Sequence, residues 1–277
     1  TLGVRVLLFA AAFAVAFAYF GGNFYAFTKQ MPPLWASRWA REGEPPHVGG
    51  RPLTRERLLR FAWVFAGLIA LLFASGFASR WEALIRYTNG TAYGMADPLF
   101  GLDVSFYLLE LPFIQTLQSG LVGLAFLGLL VLVAAYVFVG EIGVSNGRLR
   151  IRPSVARHLG VNVVVLLLGW AWGFYLDRFE LMLSGGGAVY GAGYTDVNVV
   201  LPVLWVAIAA TLGLAGIVAY NLFSYQLRLL LYGLALYVVV LIGGLVVAPM
   251  VVNQVYVEPN ELELERPYLE RNIEFTR

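Results

Sequence analysis

Five carboxylates in this 277-residue sequence stand where they could do chemistry. Asp97 and Asp103 bracket the string Asp97-Pro98-Leu99-Phe100-Gly101-Leu102-Asp103. Hard oxygen ligands in a loop suit a Ca²⁺-like cation or a substrate held at a membrane surface. The same residues suit two helix caps, because each Asp precedes a plausible helix start and Pro98 would take a first helical position. Asp177 and Glu180 are three apart and share a face if their helix continues. Paired carboxylates serve acid–base hydrolysis when one pKa is raised. Asp196 closes Gly191-Ala192-Gly193-Tyr194-Thr195-Asp196 and, with Thr195, fits a cap for the next helix. The run Ser184-Gly185-Gly186-Gly187 lacks both the Lys-Ser/Thr sequel and the leading strand of a phosphate loop, so nucleotide binding is not expected. No cysteine is present to serve as nucleophile or thiolate ligand, and neither histidine, His47 or His158, joins a Ser-His arrangement on the side of the acids. No catalytic residue, metal or cofactor is assigned, and a non-enzymatic role is the expectation.

The elements that must position these acids are built for hydrocarbon. Hydrophobic residues make up 60% of the chain and charged ones 13%, with a mean hydropathy of +0.74; soluble domains carry about 25% charged residues. A net charge of +2 is too balanced for a nucleic-acid binder. Six stretches are long and apolar enough to cross a bilayer as helices, 6–28, 61–79, 111–140, 159–176, 197–227 and 229–257, and none has a central charge. An open sheet would strand backbone groups in lipid, so the fold class is all-α, a polytopic transmembrane bundle over 1–257. Uncharged spans argue against an ion-coupled pump.

Lys and Arg favour cytoplasmic loops. The segments 29–60 and 141–158 hold eleven basic residues against four acids, so both are expected inside. The segments 80–110 and 177–196, the first residues and the tail 258–277 then lie outside. The stretch from Trp81 places Trp81, Leu84, Ile85 and Thr88 on one helical face, as an extracytoplasmic interfacial segment would. Within the spans, Ala10, Ala14 and Ala18 form a small-residue ridge, and Gly169 with Gly173 a small-xxx-small pair, both expected at helix packing faces. The tail, with six acids and two prolines, reads as an acidic linker to an extracytoplasmic domain absent from the chain.

Several of these segments together resemble one family. They are Asp97-Pro-Leu-Phe-Gly-Leu-Asp103-Val-Ser-Phe-Tyr107, Leu111-Pro-Phe113, Tyr175-Leu-Asp-Arg178, Gly191-Ala-Gly-Tyr-Thr-Asp196, Val200-Leu-Pro202, and Pro259-Asn-Glu261 with Glu265, Tyr268, Arg271-Asn-Ile273 and Thr276-Arg277. In this order they resemble uncharacterised protein family 0182, large multi-pass bacterial membrane proteins, over nearly the whole chain. Met31 to Arg51 carries no family motif. The resemblance implies a further span before Thr1 and a large extracytoplasmic domain after Arg277, and carries over no catalytic residue. The expected function is an integral plasma-membrane protein that anchors and positions an extracytoplasmic domain in envelope assembly or export. Its expected partners are the lipid bilayer and other envelope proteins or lipids, with no nucleic acid and no nucleotide. A transporter or lipid conduit is the alternative, and an outer-surface hydrolase using the acids a third.

Overall fold

A computed structural model describes residues 2–42, 47–48, 51–52, 55–145, 148–184 and 191–276, with side chains for 2–30, 56–143, 151–184, 191–271 and 273. In chain order the elements are α1 (Leu2–Glu42), a two-residue ribbon of β1 (His47–Val48) and β2 (Arg51–Pro52), α2 (Arg55–Ala78), α3 (Trp81–Asn89), α4 (Leu111–Phe138), an antiparallel hairpin of β3 (Ile142–Ser145) and β4 (Arg148–Ile151), α5 (Pro153–Glu180), α6 (Leu201–Ser224), α7 (Leu227–Leu241), α8 (Ala248–Val252) and α9 (Glu261–Thr276). π-Helical turns at Phe106–Glu110 and Asp196–Val200 lead into α4 and α6, and one at Ile242–Val247 joins α7 to α8.

Among the described residues, six helical stretches are long and apolar enough to cross a membrane: Leu2–Gln30, Glu56–Ala78, Phe106–Phe138, Pro153–Leu183, Asp196–Ser224 and Leu227–Arg271. They match the six expected stretches one for one. Each starts earlier than its apolar run does, because a helix end tolerates charge that its centre does not. Thus α5 starts at Pro153, whose missing N–H costs nothing in a first turn. His158, expected in the loop, is in that helix.

The chain divides into two compact units. In the first (1–82 and 123–163), α1 and α2 meet through small residues. Ala16 faces Ala66 and Ala70 in a core with Phe20, Phe24 and Leu124. Ala16, Ala66 and Ala70 are fully buried, as is Ala74 one turn further along α2, and Leu8 and Ala12 continue the α1 series. Ala10, Ala14 and Ala18 lie on the exposed side of α1. α1 is apolar all round and carries two alanine series, between which hydropathy does not distinguish.

In the second unit (83–122 and 164–277), Gly169 and Gly173 of α5 lie against Val122 and Gln118 of α4. A Cβ on Gly169 would fall 2.8 Å from Val122 Cγ2, and one on Gly173 2.8 Å from Gln118 Nε2. The Gln118 amide uses that room to donate to the Gly169 carbonyl at 2.8 Å. α3 has no fully buried residue; Trp81, Leu84 and Ile85 are half-buried and Thr88 is exposed.

Candidate functional site

The apolar parts of the singled-out segments converge in the second unit. Tyr107, Leu111, Leu176, Phe179, Met182, Ala192 and Leu204 form one buried cluster, flanked by Leu99, Phe100, Leu102 and Phe106. The rings of Phe100 and Phe106 each stand edge-on to Phe179 at 5.1 Å. The string that starts at Asp97 is thereby folded over the end of α5.

Asp97 organises that string from inside it. The residue is 3% exposed. Oδ1 accepts the N–H groups of Leu99 (2.8 Å) and Phe100 (2.6 Å). Oδ2 accepts the Leu102 N–H (2.6 Å) and the Tyr107 hydroxyl (2.9 Å). The helix expected after Asp97 is a single turn. It is closed by the Gly101 N–H on the Asp97 carbonyl and ended by Gly101 at φ +69°, a conformation that glycine adopts without strain.

Asp103 precedes the helical residues Val104 and Ser105 and accepts the Ser105 N–H at 2.8 Å. Its other acceptor positions take Tyr93 N–H (2.9 Å) and Gly94 N–H (2.7 Å). The Ser105 hydroxyl, then the N–H groups of Tyr93, Ser105 and Gly94, hold the Asp103 carboxyl well below the usual carboxylate range. Stability drawn from such a depressed group is complete above the ordinary value of about 3.9 and is lost as pH falls below it. Protection of the Tyr93, Gly94 and Ser105 backbone N–H groups from hydrogen exchange is therefore expected to hold down to about pH 4 and fall beneath it. In Asp103→Asn the protection should already be low at neutral pH and flat with acid; an unchanged acid profile would oppose this role.

The other acids stand apart from these two. Glu180 is exposed and accepts the Gln115 amide at 2.6 Å, and Asp177, half-buried, lies one turn back on α5. Asp196 accepts the Gly193 N–H at 3.1 Å just ahead of α6. Among the described residues no three His, Asp or Glu side chains gather as a metal site would require. The glycine run 185–187 lies outside the described residues.

Two clusters escaped the sequence reading. The first is a cation, Arg178, only 6% exposed at the end of α5. Its guanidinium carbon lies 3.9 Å from the Tyr175 ring centre, 4.1 Å from that of Trp205 and 5.2 Å from that of Phe179. The second lies in the first unit, where Tyr19 and Asn23 of α1, Tyr136 of α4, and His158 and Asn162 of α5 form one hydrogen-bonded network. The segment Tyr175-Leu-Asp-Arg178 held part of the first, but nothing local tied it to Trp205 on α6, and the members of the second come from three helices that no motif joins.

Six apolar helices, with a loop pinned by the buried Asp97 carboxylate, fit a multi-pass membrane protein. The chain belongs to the uncharacterised protein family UPF0182, whose family model matches residues 1–277. It is 60% identical over 275 residues to a UPF0182 protein of Salinibacter ruber, covering 99% of this chain and 29% of that one. It is 36% identical to UPF0182 proteins of Frankia alni, over 99% of this chain and 26% of the relative, and of Bradyrhizobium diazoefficiens, over 87% and 26%. The chain thus spans between a quarter and a third of the length of these relatives. No solved structure matches.

Proposed function

We propose that this chain is the membrane-embedded part of a larger envelope protein, and that it anchors and orients an extracytoplasmic remainder in envelope assembly or export. The observation that carries this reading is a latch on the last helix. Both carboxylate oxygens of Glu265 in α9 accept the backbone N–H of Tyr194, at 3.0 and 3.1 Å. The Asn198 amide donates to the Tyr268 hydroxyl at 2.7 Å, and the Tyr194 and Tyr268 rings meet edge to face. A tail that only tethered would need no such seat. The latch gives whatever follows α9 a set direction from the 191–198 segment. The charge distribution, with basic residues in 29–60 and 141–158, supports an outer position for that segment and for α9. The amphipathic α3 would then lie along the outer membrane interface.

Glu265→Ala removes two charge-assisted acceptors, worth about 1–2 kcal/mol together. Hydrogen exchange across 261–276 in the full-length protein should rise by about tenfold. If the full-length protein kept its cellular role with its outer part attached to an unrelated single-span anchor, positioning by this bundle would be refuted.

A further inference from the structure

Arg178 presents a charge for which the fold supplies too few partners. Among the described residues its side chain makes one hydrogen bond, from Nε to the Tyr175 carbonyl at 3.1 Å, and no described carboxylate forms an ion pair with it. Asp97 is taken up by four donors, Glu180 by Gln115 and Asp196 by Gly193. The adjoining stretch 185–190 contains no Asp or Glu. Both terminal nitrogens meet no acceptor among the described residues and keep contact with solvent, in a residue only 6% exposed, whereas a charge so nearly buried ordinarily has a counter-charge.

The aromatic faces around it compensate only in part, because a ring attracts a cation without accepting its N–H groups. They also fix the plane of the guanidinium, which leaves the Nη fork preset for a bidentate anion. Tyr175 and Trp205 are 43% and 50% exposed, so the cage reaches the protein surface. Arg178 is two residues from the end of α5 and Trp205 four residues into α6. That is the level of a bilayer at which exposed Trp and Tyr gather, beside the headgroups.

We propose that Arg178, with Tyr175 and Trp205, forms a binding site for a phosphate-type anion, the phosphodiester of an anionic lipid headgroup or free inorganic phosphate. The Nη groups would donate to two phosphate oxygens while the indole and phenol rings cover the guanidinium faces. This site goes beyond the anchoring role and does not depend on it.

The test uses the purified full-length protein in a phospholipid-free detergent. Native mass spectrometry would count bound phosphatidylglycerol, and thermal unfolding would be followed with phosphatidylglycerol, inorganic phosphate or neither. Wild type is expected to retain the lipid or to be stabilised by one of the anions. Arg178→Gln should weaken that binding by about tenfold or more, and Trp205→Leu by a smaller factor. Arg80→Gln, outside the cage, should leave it unchanged. Stabilisation by inorganic phosphate alone identifies the free anion as the source, and retention of the lipid alone identifies the headgroup. Wild type that binds neither anion, or an Arg178→Gln protein that binds as wild type does, overturns the proposal. Should Arg178→Gln not fold, Trp205→Leu and Arg178→Lys decide: unchanged anion binding in both overturns it, and a loss in either supports it.

Discussion

Asp97→Ala is expected to lower stability by about 3–4 kcal/mol, the largest loss of any single acidic substitution in this chain. One carboxylate serves three backbone N–H groups and the Tyr107 hydroxyl, at 2.6–2.9 Å. Alanine leaves all four donors without that acceptor. Each orphan costs about 1–3 kcal/mol, and the total falls short of the sum because the loop can open and admit water. Asp97→Asn keeps the shape and one acceptor oxygen, so about half the loss should return. Thermal unfolding of the detergent-purified protein measures both. A carboxylate serving a ligand instead would give a well-folded Asp97→Asn with altered turnover or binding, and that result would move Asp97 from positioning to chemistry.

That contrast shows what the sequence could reveal about the acids. Asp and Pro at a turn mark a cap whether or not a ligand also binds, because the lone pairs that hold a cation are the same ones that hold N–H groups. Only the geometry shows them occupied. Arg178 was hidden for the opposite reason. In sequence it is one of several basic residues beyond a span, and its neighbour Asp177 suggests an obvious partner. Its plane is set instead by Trp205, on the next long helix, which the chain reaches only after the 185–190 stretch and the 191–200 segment.

The spans were legible because twenty apolar residues in a row admit one structure in lipid. Their packing faces were not, wherever a helix is apolar on all sides. Gly169 and Gly173 were readable as a contact because a glycine pair has little other reason to sit inside a helix. The alanines of α1 have two equivalent registers. The tail reads as a linker by its acids and prolines, yet it is helical as α9. Pro259 sits in the short 3₁₀ turn Glu258–Asn260 ahead of it, Glu261 and Glu263 in its first turn favour the helix dipole, and the Glu265 latch offsets Pro267 within it.

Asn162→Leu is expected to cost about 2–3 kcal/mol in the first unit, although leucine preserves most of the volume. Asn162 is 2% exposed and joins three neighbours. Its carbonyl accepts the Tyr19 hydroxyl at 2.6 Å. Its amide donates to Asn23 Oδ1 at 2.9 Å and to the His158 carbonyl at 3.0 Å. Asn23 Oδ1 also meets His158 Nε2 at 3.0 Å, while Tyr136 meets Nδ1 at 2.8 Å. These partners close with every group neutral if the imidazole proton is on Nε2 and Tyr136 donates to Nδ1. Such closure is the condition on which polar side chains are tolerated between apolar helices. It also predicts non-additivity. With Asn162 already leucine, Tyr19→Phe should cost almost nothing, whereas in wild type it should cost about 1 kcal/mol. Additive losses in that double-mutant cycle would show independent contacts. A coupling near the full Tyr19 loss would show that the Tyr19 hydroxyl acts through Asn162, one of the bonds that join α1 to α5 within a stretch where hydropathy alone would have placed only greasy contact.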